Sequence, residues 1–462
     1  MQKYAIEYDY NALKAKQIVV GGLLTGKGKM WLDNLEITID GKKLQDAKPY
    51  QRPELSEKVQ KAIVTQINKN STSFSLASDE KLDQSLNKLI ASIGDKRIVA
   101  IGEDTHGTSE YYKLREAITK KLIVEKGFTT IILENPYDDI ELLTKALQND
   151  NLDSLMQKHM FSIYQTKEMS SFLNWYKSYS STNPIQFKGC DDSYWVLYEL
   201  LQKEVAAIDD LELKDICNRF TDKVTLGMVE YLKKYPNESE TLKTENDLGT
   251  AVYNDALAIE AYLTAKNLYS ERFKELLFNA KNTYINYKKM SEKQAIESRD
   301  KVMAQRIAFL AKDPNVKIIV WAHNAHISNT VIIDNEIGIM GRDLKKMFGK
   351  DYHSIGMSSL EGTHSYIENR FINDNHDFKD KLIQNNLNFH PNPSWELVFS
   401  KANSDAYYFT TKDIKATSVL ESLKLVGYSK ESAADYYKLF PLEMFDTLFF
   451  IKKTTATNPL LD

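Results

Sequence analysis

The sequence predicts an α/β fold: a mostly parallel or mixed sheet covered by helices, with a large helical insertion and a short β-hairpin in front of it. Three observations lead there. Apolar runs of strand length recur along the chain with helical stretches between them, the order of a parallel sheet with crossover helices. Several of these runs end in a charged or titratable residue, and open α/β sheets carry their sites at that C-terminal edge. Between Tyr194 and Lys312 no strand-like run interrupts a long, charged stretch of helical period.

The elements follow in order. Gln17–Leu24 reads as a strand, Thr25-Gly26-Lys27-Gly28 as a turn, and Lys29–Ile39 as a second strand of alternating polarity closed by Asp40-Gly41. This hairpin carries Val20, Leu24, Met30, Leu32 and Leu35 on one apolar face. A lone hairpin is marginal in water, so residues 1–45 are expected either to pack on the main domain or to be the remnant of a β-sandwich domain. Residues 46–77 are expected as a helical linker, with amphipathic helices over Glu54–Asn68 and Ser78–Ile93. Strands are predicted at Arg97–Gly102, Thr129–Leu133, Ile185–Lys188, Val316–Trp321, His353–Met357, Ala406–Phe409 and Thr447–Ile451, with helices between them such as Tyr111–Glu125. Residues 78–462 then form the main domain, and 194–312 its helical insertion.

Bulk composition narrows the function. A hydrophobic content of 42% with 27% charged residues is that of a globular chain able to bury a core. A net charge of -4 gives no basic stripe for nucleic acid. No window has the roughly 18 consecutive apolar residues of a membrane span. Cys190 and Cys217 alone cannot make a disulfide framework or an all-cysteine zinc site. No apolar segment follows Met1–Tyr4, so the chain as given reads as cytoplasmic; if the hairpin is a remnant, an export signal upstream would have gone with it, and an extracytoplasmic place fits equally.

The segment Gly102-Glu103-Asp104-Thr105-His106-Gly107 follows the first strand of the main domain. A carboxylate beside an imidazole can hold one tautomer and stabilise the imidazolium, and with no serine nucleophile signalled nearby in sequence the attacking group could be water. The plainer reading has His106 capping the next helix and Glu103 paired with a lysine. Glu134 ends the second strand of the main domain, and Asp191 follows the third, where it could instead cap a helix. His323 and His326 follow the fourth, in Ala322-His323-Asn324-Ala325-His326. In a parallel sheet all these residues emerge at one edge, so Glu103, His106, Glu134 and His323 are expected to line one cleft. Glu103, His106, His323 and His326 could supply zinc ligands, though the chain has no H-E-x-x-H helix, and acid–base chemistry without a metal ranks first. Arg299 and Asp300 lie on a helix, where an arginine can clamp a carboxylate or an oxyanion, or make a surface ion pair.

Five motifs in order resemble one family, the erythromycin esterase-like proteins. They are Gly102-Glu103-Asp104-Thr105-His106-Gly107; Leu133-Glu134-Asn135; Arg299-Asp300 with Met303-Ala304; Trp321-Ala322-His323-Asn324-Ala325-His326; and Met340-Gly341-Arg342-Asp343-Leu344 with Phe348-Gly349 and Tyr352. The resemblance runs from about residue 80 to the C-terminus, and Gly26–Leu35 resembles the final strands of a β-sandwich found before some such domains, which implies that residues 1–45 are a remnant of one. It implies a deep cleft and a hydrolase of carboxylic esters or lactones. In the family, lactone hydrolysis inactivates macrolides and gives antibiotic resistance. His106 would be the general base and Glu103 would orient it or the water. Glu134 and His323 would share the catalytic site, with Arg299, His326 and Asp191 at the substrate. No metal and no cofactor is implied. The partner expected is a small ester or lactone, with neither nucleic acid nor membrane. Two alternatives stand beside this reading. One is a non-catalytic ligand- or haem-binding protein of a related fold, and the other is a metal-dependent hydrolase. Oligomeric state and natural substrate do not follow from the sequence.

Overall fold

The computed structural model describes residues 28–29, 31, 36–39, 41–44, 53–194, 196–234, 242–333, 336–368 and 381–460. The chain divides into two units, Met1–Arg52 and Pro53–Asp462. In the first, β1 (Thr38–Ile39) pairs antiparallel with β2 (Lys42–Lys43) across a turn at Gly41, whose φ of 76° is the left-handed region that glycine adopts freely. Most of the expected Gln17–Ile39 hairpin, including Val20, Leu24, Met30, Leu32 and Leu35, lies outside the described residues.

The second unit begins inside the expected linker. Here α1 (Glu57–Asn70) buries Ile63 and Ile67, and β3 (Thr72–Ser73) joins the edge of the main sheet, so residues 53–77 are part of the compact body. Ser78 caps α2 (Asp79–Ile93) through its side chain, and Leu82, Leu86, Leu89, Ile90 and Ile93 are buried at helical spacing. Then come β4 (Ile98–Ile101), α3 (Ser109–Lys126), β5 (Thr130–Pro136), α4 (Tyr137–Ala146), α5 (Leu152–His159), α6 (Lys167–Ser180) and β6 (Gln186–Asp191). Five helices follow: α7 (Leu197–Ala206), α8 (Leu211–Lys234), α9 (Leu242–Ala265), α10 (Glu271–Ser291) and α11 (Arg299–Leu310). The chain returns to the sheet with β7 (Ile318–Trp321), α12 (Asn324–Ile327), α13 (Ile339–Phe348), β8 (Tyr352–Glu368), β9 (Lys381–Leu387), α14 (Trp395–Phe399) and β10 (Ala406–Thr410). It closes with β11 (Glu421–Lys424), β12 (Tyr436–Leu439), α15 (Pro441–Met444) and β13 (Thr447–Thr454).

The nine-stranded sheet has the order β3-β10-β13-β8-β4-β7-β5-β6, with β9 paired to β8. The run from β13 to β6 is parallel, and the pairings of β10 and β9 are antiparallel, so the sheet is mixed. Its central strands are buried on both faces. Val99, Ile101, Ile131, Leu133, Ile319 and Trp321 enter one core, and Ile98, Ala100, Ile132, Ile318 and Val320 the other, as the two-residue period of a strand dictates. Helices α7–α10 build a third core of their own around Leu200, Phe220, Ile259 and Leu277.

β4 sits between β7 and β8, yet the chain leaves it first for β5 and β6. That reversal of direction is the topological switch point, where loops on both sides diverge and leave a crevice at the C-terminal edge.

Candidate active site

The loop after β4 is held by close contacts at both of its glycines. A Cβ at Gly102 would lie 2.0 Å from Asn324 Oδ1, and one at Gly107 would lie 2.2 Å from the Ser365 carbonyl. Glycine at both ends therefore lets the loop press against α12 and β8. Asn324 stitches the three elements together: its N–H donates to the Glu103 carbonyl (2.8 Å), and its side-chain amide donates to the Met357 carbonyl (2.6 Å).

Between those glycines, His106 Nδ1 lies 2.9 Å from Glu103 Oε1. The other Glu103 oxygen is 3.0 Å from Arg115 Nη1, and both side chains are fully buried. Arg115 also donates to the carbonyls of Ile101 and Ala322 (3.2 and 2.8 Å), which fixes it under the strand ends. The chain thus forms a buried Arg115–Glu103–His106 relay. Neither plain reading of the sequence holds, because α3 has Thr108 at its N-cap and Glu103 pairs with an arginine rather than a lysine.

A second cluster lies at the ends of β5, β6 and β7. Glu134 accepts the His323 backbone N–H (2.9 Å) and Arg299 Nη2 (3.0 Å), and His326 Nε2 is 3.1 Å away. Arg299 also grips Asp191, with Nε 2.9 Å and 3.1 Å from the two carboxylate oxygens. Asp191 is accordingly the last residue of β6 and an arginine partner, not a helix cap. Arg299 is likewise no simple surface ion pair. With its side chain 40% exposed, it is the member of the cluster that reaches solvent, while both its carboxylate partners are buried. His326 Nδ1 is 2.5 Å from Asp300, whose other oxygen accepts the N–H groups of Ile339 and Met340 at the start of α13.

Electrostatics follow from these contacts. Burial alone would raise the Glu134 carboxyl, but His326, Arg299 and His106 outweigh it and hold the group well below the usual range. Burial would likewise lower His326, but Glu134 and Asp300 prevail and push it up to about 10. His326 is therefore an imidazolium at neutral pH. A cation of raised pKa stabilises the fold fully below its unfolded value of 6.5, and that contribution is lost as pH rises through about 10. The difference in melting temperature between the parent chain and His326→Gln should accordingly shrink from about pH 7 to about pH 10. A difference constant across that span would show that His326 is not a buried cation.

His323 is the opposite case. Burial, then His106 and His326, press its pKa well below the ordinary value, so the ring is neutral. Its Nδ1 accepts the Ala325 N–H (3.3 Å) at the start of α12, which places the ring proton on Nε2. That Nε2 is buried without a hydrogen-bond partner among the described residues. Leaving such a group unpaired costs about 1–3 kcal/mol.

The rings converge on His106. His323 is 4.8 Å away between centroids, Tyr428 4.6 Å, and Tyr164 6.5 Å in an edge-on approach at 83°. Tyr164 is carried there by Asn135, which accepts the Phe161 N–H and donates to the His159 carbonyl. Its hydroxyl, too, is buried and unpartnered among the described residues. The structure thus brings Glu103, His106, Glu134, Asp191, Arg299, His323 and His326 to one edge of the sheet. Sequence reasoning missed Arg115, Tyr164 and Tyr428. Arg115, nine residues after His106 on the next helix, was the one within reach of a sequence argument. The four groups considered as metal ligands are otherwise engaged: Glu103 faces His106 Nδ1 and Arg115, His326 turns both ring nitrogens to carboxylates, and among the described residues no set of three His, Cys, Asp or Glu is arranged to hold a metal ion. Among the described residues, no helix is long and apolar enough to cross a membrane.

Known proteins resemble this chain to different extents. A family model described as erythromycin esterase matches residues 123–454, a span that includes Glu134, Asp191, Arg299, His323 and His326 and begins after His106. Erythromycin esterase type II of Escherichia coli is 26% identical over 298 residues, which cover 58% of this chain and 70% of that protein. Two solved structures share the fold. A succinoglycan biosynthesis protein has a TM-score of 0.70 at 19% identity and covers 87% of this chain and 99% of its own. The erythromycin esterase EreC in its open conformation has a TM-score of 0.62 at 18% identity and covers 85% and 99%.

Proposed function

The chain belongs to the erythromycin esterase family, which supports hydrolase function at the level of the family, and from that premise we propose that it hydrolyses carboxylic esters or lactones with His106 as general base. The observation that carries this reading is the buried Arg115–Glu103–His106 relay. Glu103 takes the Nδ1–H, so Nε2 is the nitrogen left to accept a proton. Water attacks the carbonyl carbon as His106 Nε2 takes its proton. The tetrahedral intermediate then expels the alkoxide, which receives that proton back, and free acid and alcohol result. For a lactone, the same step opens the ring. Glu103, braced by Arg115, stabilises the imidazolium formed in between. Arg299 and the cationic His326 neutralise Glu134, and the exposure of Arg299 at the solvent side supports a role for it in meeting the substrate. No step runs through a metal or a cofactor.

A panel of p-nitrophenyl esters, simple lactones and macrolides tests the reading. Turnover of one class, abolished in His106→Ala, supports it. A purified protein inert to the whole panel but coloured, with a Soret band, would instead favour a haem-binding role.

A further inference from the structure

We propose that the Tyr164 hydroxyl and the His323 Nε2–H together form the donor pair that binds the substrate's carbonyl oxygen and the oxyanion that develops from it. The inference rests on His106 being the base.

Each of the two is a buried polar group with no well-formed hydrogen bond among the described residues, a condition the Tyr112 hydroxyl shares, and the Asp104 backbone beside His323 is too weak a partner to satisfy its ring. Each belongs to a ring packed against His106, so both flank the place where water would be activated. The charged donors nearby are already committed: Arg115 to Glu103, Arg299 to Asp191 and Glu134, and His326 to Glu134 and Asp300. An oxygen that gains charge beside His106 therefore finds these two neutral donors without displacing an ion pair.

Both also remain donors across the working range of an imidazole base. The Ala325 N–H holds the His323 proton on Nε2, and burial keeps that ring from becoming charged. Burial, then the carboxylates of Glu134 and Glu103, push the Tyr164 hydroxyl well above its ordinary pKa. Donors fixed in place before charge develops need no reorganisation, which is the source of their catalytic value.

Tyr164→Phe tests the pair, because it keeps the ring against His106 and removes only the hydroxyl. With p-nitrophenyl acetate, kcat should fall about 100-fold or more, the effect of losing one such donor. KM and the shape of the pH profile should stay as in the parent enzyme. Affinity for an alkyl phosphonate monoester, whose anionic oxygen mimics the oxyanion, should weaken in parallel, while affinity for the matching neutral amide should not. If the two atoms only hold a structural water, Tyr164→Phe will keep kcat within a few-fold of the parent, and the proposal fails. A loss confined to KM overturns it too. His106→Ala assayed alongside separates the two ideas. An active His106→Ala enzyme removes the premise, whereas a dead His106→Ala beside an intact Tyr164→Phe removes only the donor pair.

Discussion

Replacing His106 with alanine should lower ester turnover at least ~100-fold, the low end of what a positioned general base contributes. The fold should survive, with a lower melting temperature because the buried imidazole leaves a gap among the rings of His323, Tyr428 and Tyr164. His106 sits on the loop between β4 and α3, and the backbone contacts of that loop run through Glu103, Asp104 and Gly107 rather than through the imidazole. The change also leaves Glu103 its ion pair with Arg115, so no carboxylate is stranded. A His106→Ala enzyme of ordinary activity would leave the relay without a catalytic role.

Much of this site could be read from the chain because its members are tied to strand ends. Glu103, His106, Glu134 and His323 each close or follow an apolar run, and a run buried on both faces is the strongest strand signal a sequence carries. The parallel order then places them at one edge. What the chain hides are partners fixed by contacts between distant segments. Arg299 meets Asp191 across 108 positions of sequence, and its surface-like setting on α11 gives no hint of that. Tyr164 reaches His106 only because Asn135 ties down the segment at Phe161. The peripheral strands were hidden for another reason. β9 (Lys381–Leu387) and the β11–β12 pair are polar and partly exposed, so no apolar run marks them, and β3 is two residues long. The same β11 segment carries a group that braces the Glu103–His106 loop.

Lys424 ends β11, and its side chain is fully buried, 3.3 Å from Asp104, which is 1% exposed. Asp104 lies between Glu103 and His106. It accepts from the Tyr111 hydroxyl (2.6 Å) and the Ser359 N–H (2.9 Å), while Lys424 donates to the Ser359 carbonyl and hydroxyl (2.8 and 2.9 Å). Even so, burial outweighs Lys424, Tyr111 and Ser359 and leaves the Asp104 carboxyl above its ordinary pKa. Lys424→Met removes the cation paired with that carboxylate and should destabilise the protein by roughly 3–5 kcal/mol, the cost of stranding a buried charge. Because the stranded carboxyl is of raised pKa, its penalty holds above that pKa and is relieved as pH falls and the group takes up a proton. The stability deficit of Lys424→Met should therefore narrow in mild acid. Adding Asp104→Asn should recover much of it at neutral pH, since a pair removed together costs less than one partner removed alone. If Lys424→Met melts like the parent chain, the buried pair is not what holds the loop. If the double variant is as unstable as the single one, the loss comes from Lys424's bonds to Ser359 and its attraction for the buried Glu396 carboxyl, and not from the charge on Asp104.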